Sequence, residues 1–307
     1  MRGMLLPEVL VSAGLGLTAV LYAIHLLCSS AANQTLSEQR WVLEQDAQFA
    51  LDVMARAIGQ AGHPNVLSAK AGAAMPSSLP FAVFGWDDAT MAATSDPDTA
   101  LIKPGMLGSD VLITHFSAAA PSTTSTGIFN CAGMAMAEPV PGDPDLGYSV
   151  FYVARGAGGE PELRCKYRTV SGWDSEPLVA GVESLQLLYG IDHDGDALPD
   201  RFMNATAIHA APLLWKQVVA LKVALLMRSA HSTHSVKQPS ASDVWHLLGK
   251  AYSTVNGTSD HGVRLSAADL PASERQRLRR VFEQMVFLRN YPVPSSFAAT
   301  SAVVKGS

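Results

Sequence analysis

Arg2-Gly3-Met4-Leu5-Leu6-Pro7-Glu8 opens the chain, and Val9-Leu10-Val11-Ser12-Ala13-Gly14-Leu15-Gly16-Leu17-Thr18-Ala19-Val20-Leu21-Tyr22-Ala23-Ile24-His25-Leu26-Leu27-Cys28 follows without a formal charge. A helix crosses a bilayer with ~20 apolar residues at ~1.5 Å each, and this run is long enough. Glu8 is the anomaly. A carboxylate at the mouth of a membrane-length helix is costly unless something is supplied to meet it.

Beyond Asn33 the chain turns polar but keeps a helical rhythm. Leu36, Leu43, Ala47, Leu51, Met54 and Ile58 recur at steps of three, four or seven and draw one apolar stripe. Glu38, Arg40, Glu44, Asp46, Asp52 and Arg56 lie between them. No Pro interrupts residues 9–62, and Gly62-His63-Pro64 supplies a stop. The pattern predicts one helix from about residue 5 to 61, ~85 Å long at ~1.5 Å per residue. Its first half is apolar all round and its second half is striped for packing on a globular body. Gly14 and Gly16 each weaken the first half by ~1 kcal/mol relative to Ala, which predicts a bend or local melting there.

A cleaved signal peptide would use Ser30 and Ala32 as its −3 and −1 residues, but the long apolar run and Glu8 argue against it. A lipoprotein signal needs a small residue before Cys28, where Leu27 stands. A helix that stays in the membrane accounts for the pattern continuing past residue 28. Gly3 followed by Met4 and then Glu8 resembles the class III leader of type IV prepilins. The resemblance implies cleavage between Gly3 and Met4 by a prepilin peptidase and methylation of the new Met4 terminus. It also implies that Glu8, the fifth mature residue, meets the N-terminal amine of a neighbouring subunit during assembly. Electrostatics agrees, because an ammonium beside the carboxylate lowers the cost of burying either charge. The sequence departs from the commoner Phe-Thr-Leu-Val-Glu in Met4 and Pro7, and Pro is tolerated near a helix start.

Composition bounds the rest. With 48% hydrophobic residues in 307, the chain has ample core for one large domain or two small ones. A net charge of −5 with few charged residues gives no nucleic-acid surface. Arg275, Arg277, Arg279 and Arg280 form the nearest thing to a basic patch, but no aromatics interleave them. They read as a solvated face or a strand end. Residues 79–86, 110–116, 148–154 and 163–170 read as strands, with a hairpin turn at 156–161 and a loop at 118–126. Residues 177–192 read as one apolar element carrying Leu178, Val182, Leu185, Leu187 and Tyr189. Val219, Leu221, Val223, Leu225 and Met227 share one face of a strand central to a sheet. Residues 244–248 and 279–290 permit strand or helix, and the tail from Pro292 reads as loose. If the head is exported, Cys131 and Cys165 are expected to pair, closing a loop worth ~3–4 kcal/mol, with Cys28 left as a small apolar residue.

Val182-Glu183-Ser184-Leu185-Gln186-Leu187-Leu188-Tyr189-Gly190, with the acidic run after it, resembles the PilW-type minor pilins, as do residues 223–229 and 279–290. That resemblance implies an α+β, pilin-like fold: a long N-terminal helix with a protruding apolar half, packed on a β-sheet-rich head. It makes the closing element a strand. The implied organisation is a leader at 1–3, a membrane or pilus-core helix at 4–29, its amphipathic half at 30–62, a head at 63–291 and a tail at 292–307.

One constellation has ligand-like spacing. Asp192, Asp194, Asp196 and Asp200 match oxygen positions one, three, five and nine of a calcium loop. Ala197 stands where that loop has Gly, and Met203 replaces the bidentate Glu. The run reads either as a weak Ca2+ site or as a solvated acidic turn. No His-Glu-x-x-His pair, Gly-x-Ser-x-Gly elbow or phosphate loop is present, and His115 and His209 read as surface or core residues, so no catalytic role is expected. The sequence thus points to a minor pilin that primes or caps a type IV pilus with other minor and major pilins. Such a protein sits first in the inner membrane with a periplasmic head and then in the pilus. A type II secretion pseudopilin and a membrane-anchored calcium-dependent adhesin are the alternatives.

Overall fold

One helix, α1 (Leu6–Gln60), carries the chain from its N-terminal region into the head. The computed structural model describes residues 6–62, 81–97, 103–117, 128–135, 146–169, 171–232, 243–271 and 274–290, with the side chains of α1 from Leu10 onward save that of Ala32. Gly14 and Gly16 do not interrupt the helix, contrary to the local melting their propensity suggests. The sequence stripe is the packing face: Leu43, Ala47, Leu51, Met54 and Ile58 are buried, and Leu36 is half-buried. Gly62 ends the helical path at φ +72, in the left-handed region that favours glycine, and its N–H donates to His115 O at 2.8 Å.

The head is built from two antiparallel sheets. The first is a meander of β1 (Val83–Trp86), β2 (Val111–Ser117), β3 (Leu146–Arg155), β4 (Pro161–Thr169) and β5 (Gly172–Ala180), each paired with the next. The second takes β6 (Val182–Ile191), β7 (Arg201–Met203), β8 (Val218–Ser232) and β11 (Arg277–Phe287) in the order β11-β8-β6-β7. A two-stranded ribbon of β9 (Val244–His246) and β10 (Arg264–Ser266) lies outside it. β8 sits between β6 and β11 with both faces buried, as its alternation requires of a central strand. The closing element is a strand.

The single apolar element read at 177–192 is in fact two strands. Gly181 divides β5 from β6 at φ +83, and a Cβ there would lie 2.6 Å from Arg228 O. The chain leaves one sheet and enters the other at the only residue type that fits. The main core joins α1 to both sheets: Met54 and Ile58 of α1 share it with Phe151 and Leu163 of the first sheet and Leu185, Tyr189, Leu221 and Leu225 of the second.

α1 is tied along β11. Arg280 pairs with Glu44 near the start of the strand. Beyond its end, Asn290 Nδ2 donates to the orphan carbonyls of Gly59 (3.3 Å), Gln60 (3.4 Å) and Ala61 (3.2 Å). α1 and β11 therefore run in the same direction.

Register shifts in the second sheet place buried charge. Between Val182 and Ser184 the β6–β8 register slips, and between Arg277 and Arg279 the β11–β8 register slips. Such bulges re-aim side chains. Here Glu183 receives Arg279 in a bidentate grip (Nε at 2.6 Å, Nη2 at 2.8 Å), with Arg228 Nη1 at 3.2 Å. Arg228 also meets Glu160 and Glu274. Burial alone would lower the Arg228 pKa, but those three carboxylates hold it above its ordinary value. The arginine run is a strand end, as one of its two readings had it, but it is not uniformly solvated: Arg280 is exposed, while the Arg279 side chain is 0% exposed.

Candidate functional site

Among the described residues, the longest run of exposed apolar side chains is the first half of α1. Leu10, Leu15, Leu17, Leu21 and Leu27 are each between 58% and 70% exposed. No part of the most apolar window is buried against the head, and the helix is long and apolar enough to cross a membrane. Two of its hydroxyls are satisfied within the helix: Thr18 Oγ1 donates to Leu15 O at 2.8 Å and Ser29 Oγ to Leu26 O at 2.9 Å. That is what an apolar surrounding demands, because water is not there to take the bond. Around Gly14 and Gly16 nothing approaches within 4 Å of a would-be Cβ, so the head imposes neither glycine. Small residues on a bare helix permit close approach of another helix.

Glu8 lies in α1, within its first turn. Gly3 and Met4 lie outside the described residues. Cys131 and Cys165 form a disulfide, Cα–Cα 5.8 Å, that fastens the segment 128–135 to β4. Cys28 is exposed on α1 with the leucines.

The acidic loop after β6 is partly assembled. Asp192, Asp194 and Asp200 each bring a carboxylate oxygen within 4.8 Å of the others, while Asp196 stands outside that group. Asp192 is buried and accepts Gly195 N–H (2.6 Å) and Ala197 N–H (2.9 Å). Asp200 accepts His193 N–H at 2.7 Å, and Asp196 turns its Oδ1 to Leu198 N–H at 2.8 Å. Ala197 has φ +67, the left-handed turn that a calcium loop normally gives to Gly at that position. Three convergent hard oxygens suit an oxygen-seeking cation, and the backbone N–H groups also satisfy the carboxylates by themselves.

Both singled-out histidines are structural. His115 is buried with Nδ1 2.6 Å from Phe81 O, and His209 stacks on Trp86 at 4.3 Å with Nε2 2.8 Å from Gly85 O. Two groups had no local sequence signal. Lys166 is fully buried, its Nζ donating to Ala92 O (2.7 Å) and Ser95 Oγ (3.1 Å), and burial lowers its pKa to about 8. Asn290 caps the end of α1 from beyond β11. Only the long-range fold reveals either partner.

A spine helix with one half bare and the other bedded on an antiparallel two-sheet head defines a pilin-like α+β protein. Residues 150–290, which run from β3 to Asn290, match the model of the family described as PilW, Type IV Pilus-assembly protein W. Over that stretch the PilW-type resemblance seen in the sequence is borne out. Among solved structures, a Type IV-like pilin from Thermus thermophilus is similar, with 15% identity, 81% of this chain and 98% of that chain covered, and a TM-score of 0.36. That score is too low to carry an inference. A search of curated proteins returned no match.

Proposed function

We propose that this chain is a minor pilin that takes part in priming or capping a type IV pilus, and that the first half of α1 is its working surface. The observation that carries the reading is a membrane-length helix left bare by its own head in a chain whose residues 150–290 match a pilus-assembly family. The prepilin peptidase cuts after Gly3, the new Met4 amine is methylated, and the subunit waits in the inner membrane with its head in the periplasm. On assembly, helices of neighbouring pilins cover the leucines of α1, and Glu8 meets the N-terminal amine of an adjacent subunit. The ion pair forms where an isolated carboxylate would be costly.

Mass spectrometry of the N-terminus from membranes tests the reading, with a methylated Met4 expected. A start at Ala31 or Asn33 would mean a removed signal peptide and would overturn it. Glu8→Ala is expected to abolish incorporation into pili while the protein remains in membranes; normal incorporation would remove Glu8 from the assembly step. The convergence of Asp192, Asp194 and Asp200 supports a weak calcium site beside β7. Calorimetry of the full chain in detergent with CaCl2 is expected to give a binding heat and a raised Tm. Absence of both would take the metal out.

A further inference from the structure

β11 is the end strand of its sheet, and its far side pairs with no strand among the described residues. Leu288 N–H donates to Val219 O at 2.8 Å, and the register pairs Phe287 with Ala220 and Met285 with Lys222. Backbone groups alternate along an antiparallel pair, so Val281, Glu283, Met285 and Phe287 turn their N–H and C=O outward. Natural proteins guard such an edge with charges, prolines or a covering element. The first part of β11 carries Arg277, Arg279, Arg280 and Glu283, but from Gln284 to Phe287 there is neither charge nor proline, and Met285 and Phe287 are 48% and 43% exposed.

That unguarded part floors a groove of about 580 Å³ walled by α1. Arg56 and Arg289 stand in it with Asp52, and none of the three forms an ion pair among the described residues. Arg289 lies over Gly59, its Nε 3.6 Å from where a Cβ would be. Two guanidiniums against one carboxylate leave the groove cationic, and guanidinium binds carboxylate by paired N–H bonds.

We infer that the β11 edge and this groove receive an extended, carboxylate-bearing segment of a different pilin subunit anchored in the same membrane, which adds a strand to the second sheet. Strand addition draws affinity from main-chain hydrogen bonds and specificity from side-chain contacts. The occupant is not a second copy paired antiparallel, edge to edge. Antiparallel pairing of two β11 edges needs a two-fold axis through the sheet. Because α1 and β11 run together, that axis would point the two apolar half-helices in opposite directions. A different subunit in the same membrane is free of this constraint.

The inference rests on the pilin reading, and the test separates the two. The photoreactive residue benzoylphenylalanine replaces Phe287 in the full chain in native cells, and cross-linked peptides are sequenced after irradiation. A cross-link to an extended head segment of another leader-bearing pilin, with Asp or Glu within a few residues, is the expected result. Cross-links to residues 291–307 of the same chain, to a second copy, to a protein without a leader, or to nothing would each overturn the proposal. Adding Met285→Pro removes an outward N–H while leaving the β8 ladder intact, and is expected to cut the yield at least ten-fold. Arg56→Glu with Arg289→Glu, both exposed positions, is expected to do the same and stands in if the proline variant has a lowered Tm. An undiminished yield in a variant with the parental Tm would overturn the strand-addition geometry. In the same sample, a methylated Met4 without a cross-link brings down the docking surface alone, whereas an unprocessed N-terminus brings down both readings.

Discussion

Replacing Glu183 by Gln isolates the largest electrostatic commitment in the head. Glu183 is 2% exposed and, among the described residues, is the only carboxylate gripping Arg279, whose side chain is wholly buried. Arg228 keeps Glu160 and Glu274 when Glu183 is neutralised, so its loss is small. Arg279 keeps only a bond to Arg277 O at 3.3 Å and the face of Trp245, with its centroid 5.8 Å away. Removing one partner of a buried pair costs about 3–5 kcal/mol, because a buried charge is left uncompensated. The expected loss is therefore ~3–5 kcal/mol, nearly all of it from Arg279. In a chain of this size ~1 kcal/mol shifts Tm by ~2–4 °C, so thermal unfolding of the full chain in detergent is expected to drop by at least ~6 °C. Glu183→Leu with Arg279→Met is expected to recover most of that loss, since apolar replacements of both partners are often neutral. Glu160→Gln, at a carboxylate 45% exposed, is expected to cost under ~1 kcal/mol. A Glu183→Gln loss below ~1 kcal/mol, or a double variant as unstable as the single, would refute the assignment.

Two other outcomes follow from the head. Burial, reinforced by the Asp87 charge, raises the Asp260 pKa to about 6, while the Tyr252 hydroxyl and His261 pull against it. Asp110, wholly buried near Asp87 and Asp260, is raised in the same direction. The folded state then holds protons that the unfolded chain, near pKa ~3.9, gives up. Stability from Asp260 is full below pH ~4 and is lost as the pH rises through about 6. For Asp260 the swing is at most ~3 kcal/mol, and Asp260→Asn is expected to flatten the Tm–pH curve between pH 4 and 7; a curve unchanged by the substitution would contradict this. The Cys131–Cys165 bond closes a loop spanning 34 positions, and Cys131→Ala with Cys165→Ala is expected to cost ~3–4 kcal/mol in urea unfolding, with under 1 kcal/mol as the contrary result.

Much of this architecture was legible in the residues. A stripe of Leu43, Ala47, Leu51, Met54 and Ile58 can only be a packing face, and the alternation from Val219 to Met227 can only be a strand with a buried side. Both are local periodicities, and local periodicity survives whatever the tertiary structure does. The division at Gly181 was hidden because two successive strands are apolar on either side of it. What breaks them is the approach of Arg228 O, forty-seven positions along the chain. Arg279 gave the same false signal: an arginine in a run of arginines looks solvated until a bulge turns Glu183 to meet it. In the acidic loop, spacing grouped four aspartates, but the backbone turn at Ala197 sends Asp196 elsewhere. The apolar run and Glu8 were readable from the start, because membrane-length hydrophobicity and a stray carboxylate need no tertiary context to stand out.

The shared direction of α1 and β11 has a mechanical meaning. Tension applied along the helix reaches the head as sliding between two parallel rods pinned at Glu44–Arg280 and again at Asn290. In that loading the ties and the buried stripe strain together, whereas a helix lifted crosswise would lose them one by one, like tape peeled from a corner. A subunit tugged along its own axis therefore resists with the whole seam, and traction finds the seam in its strongest orientation.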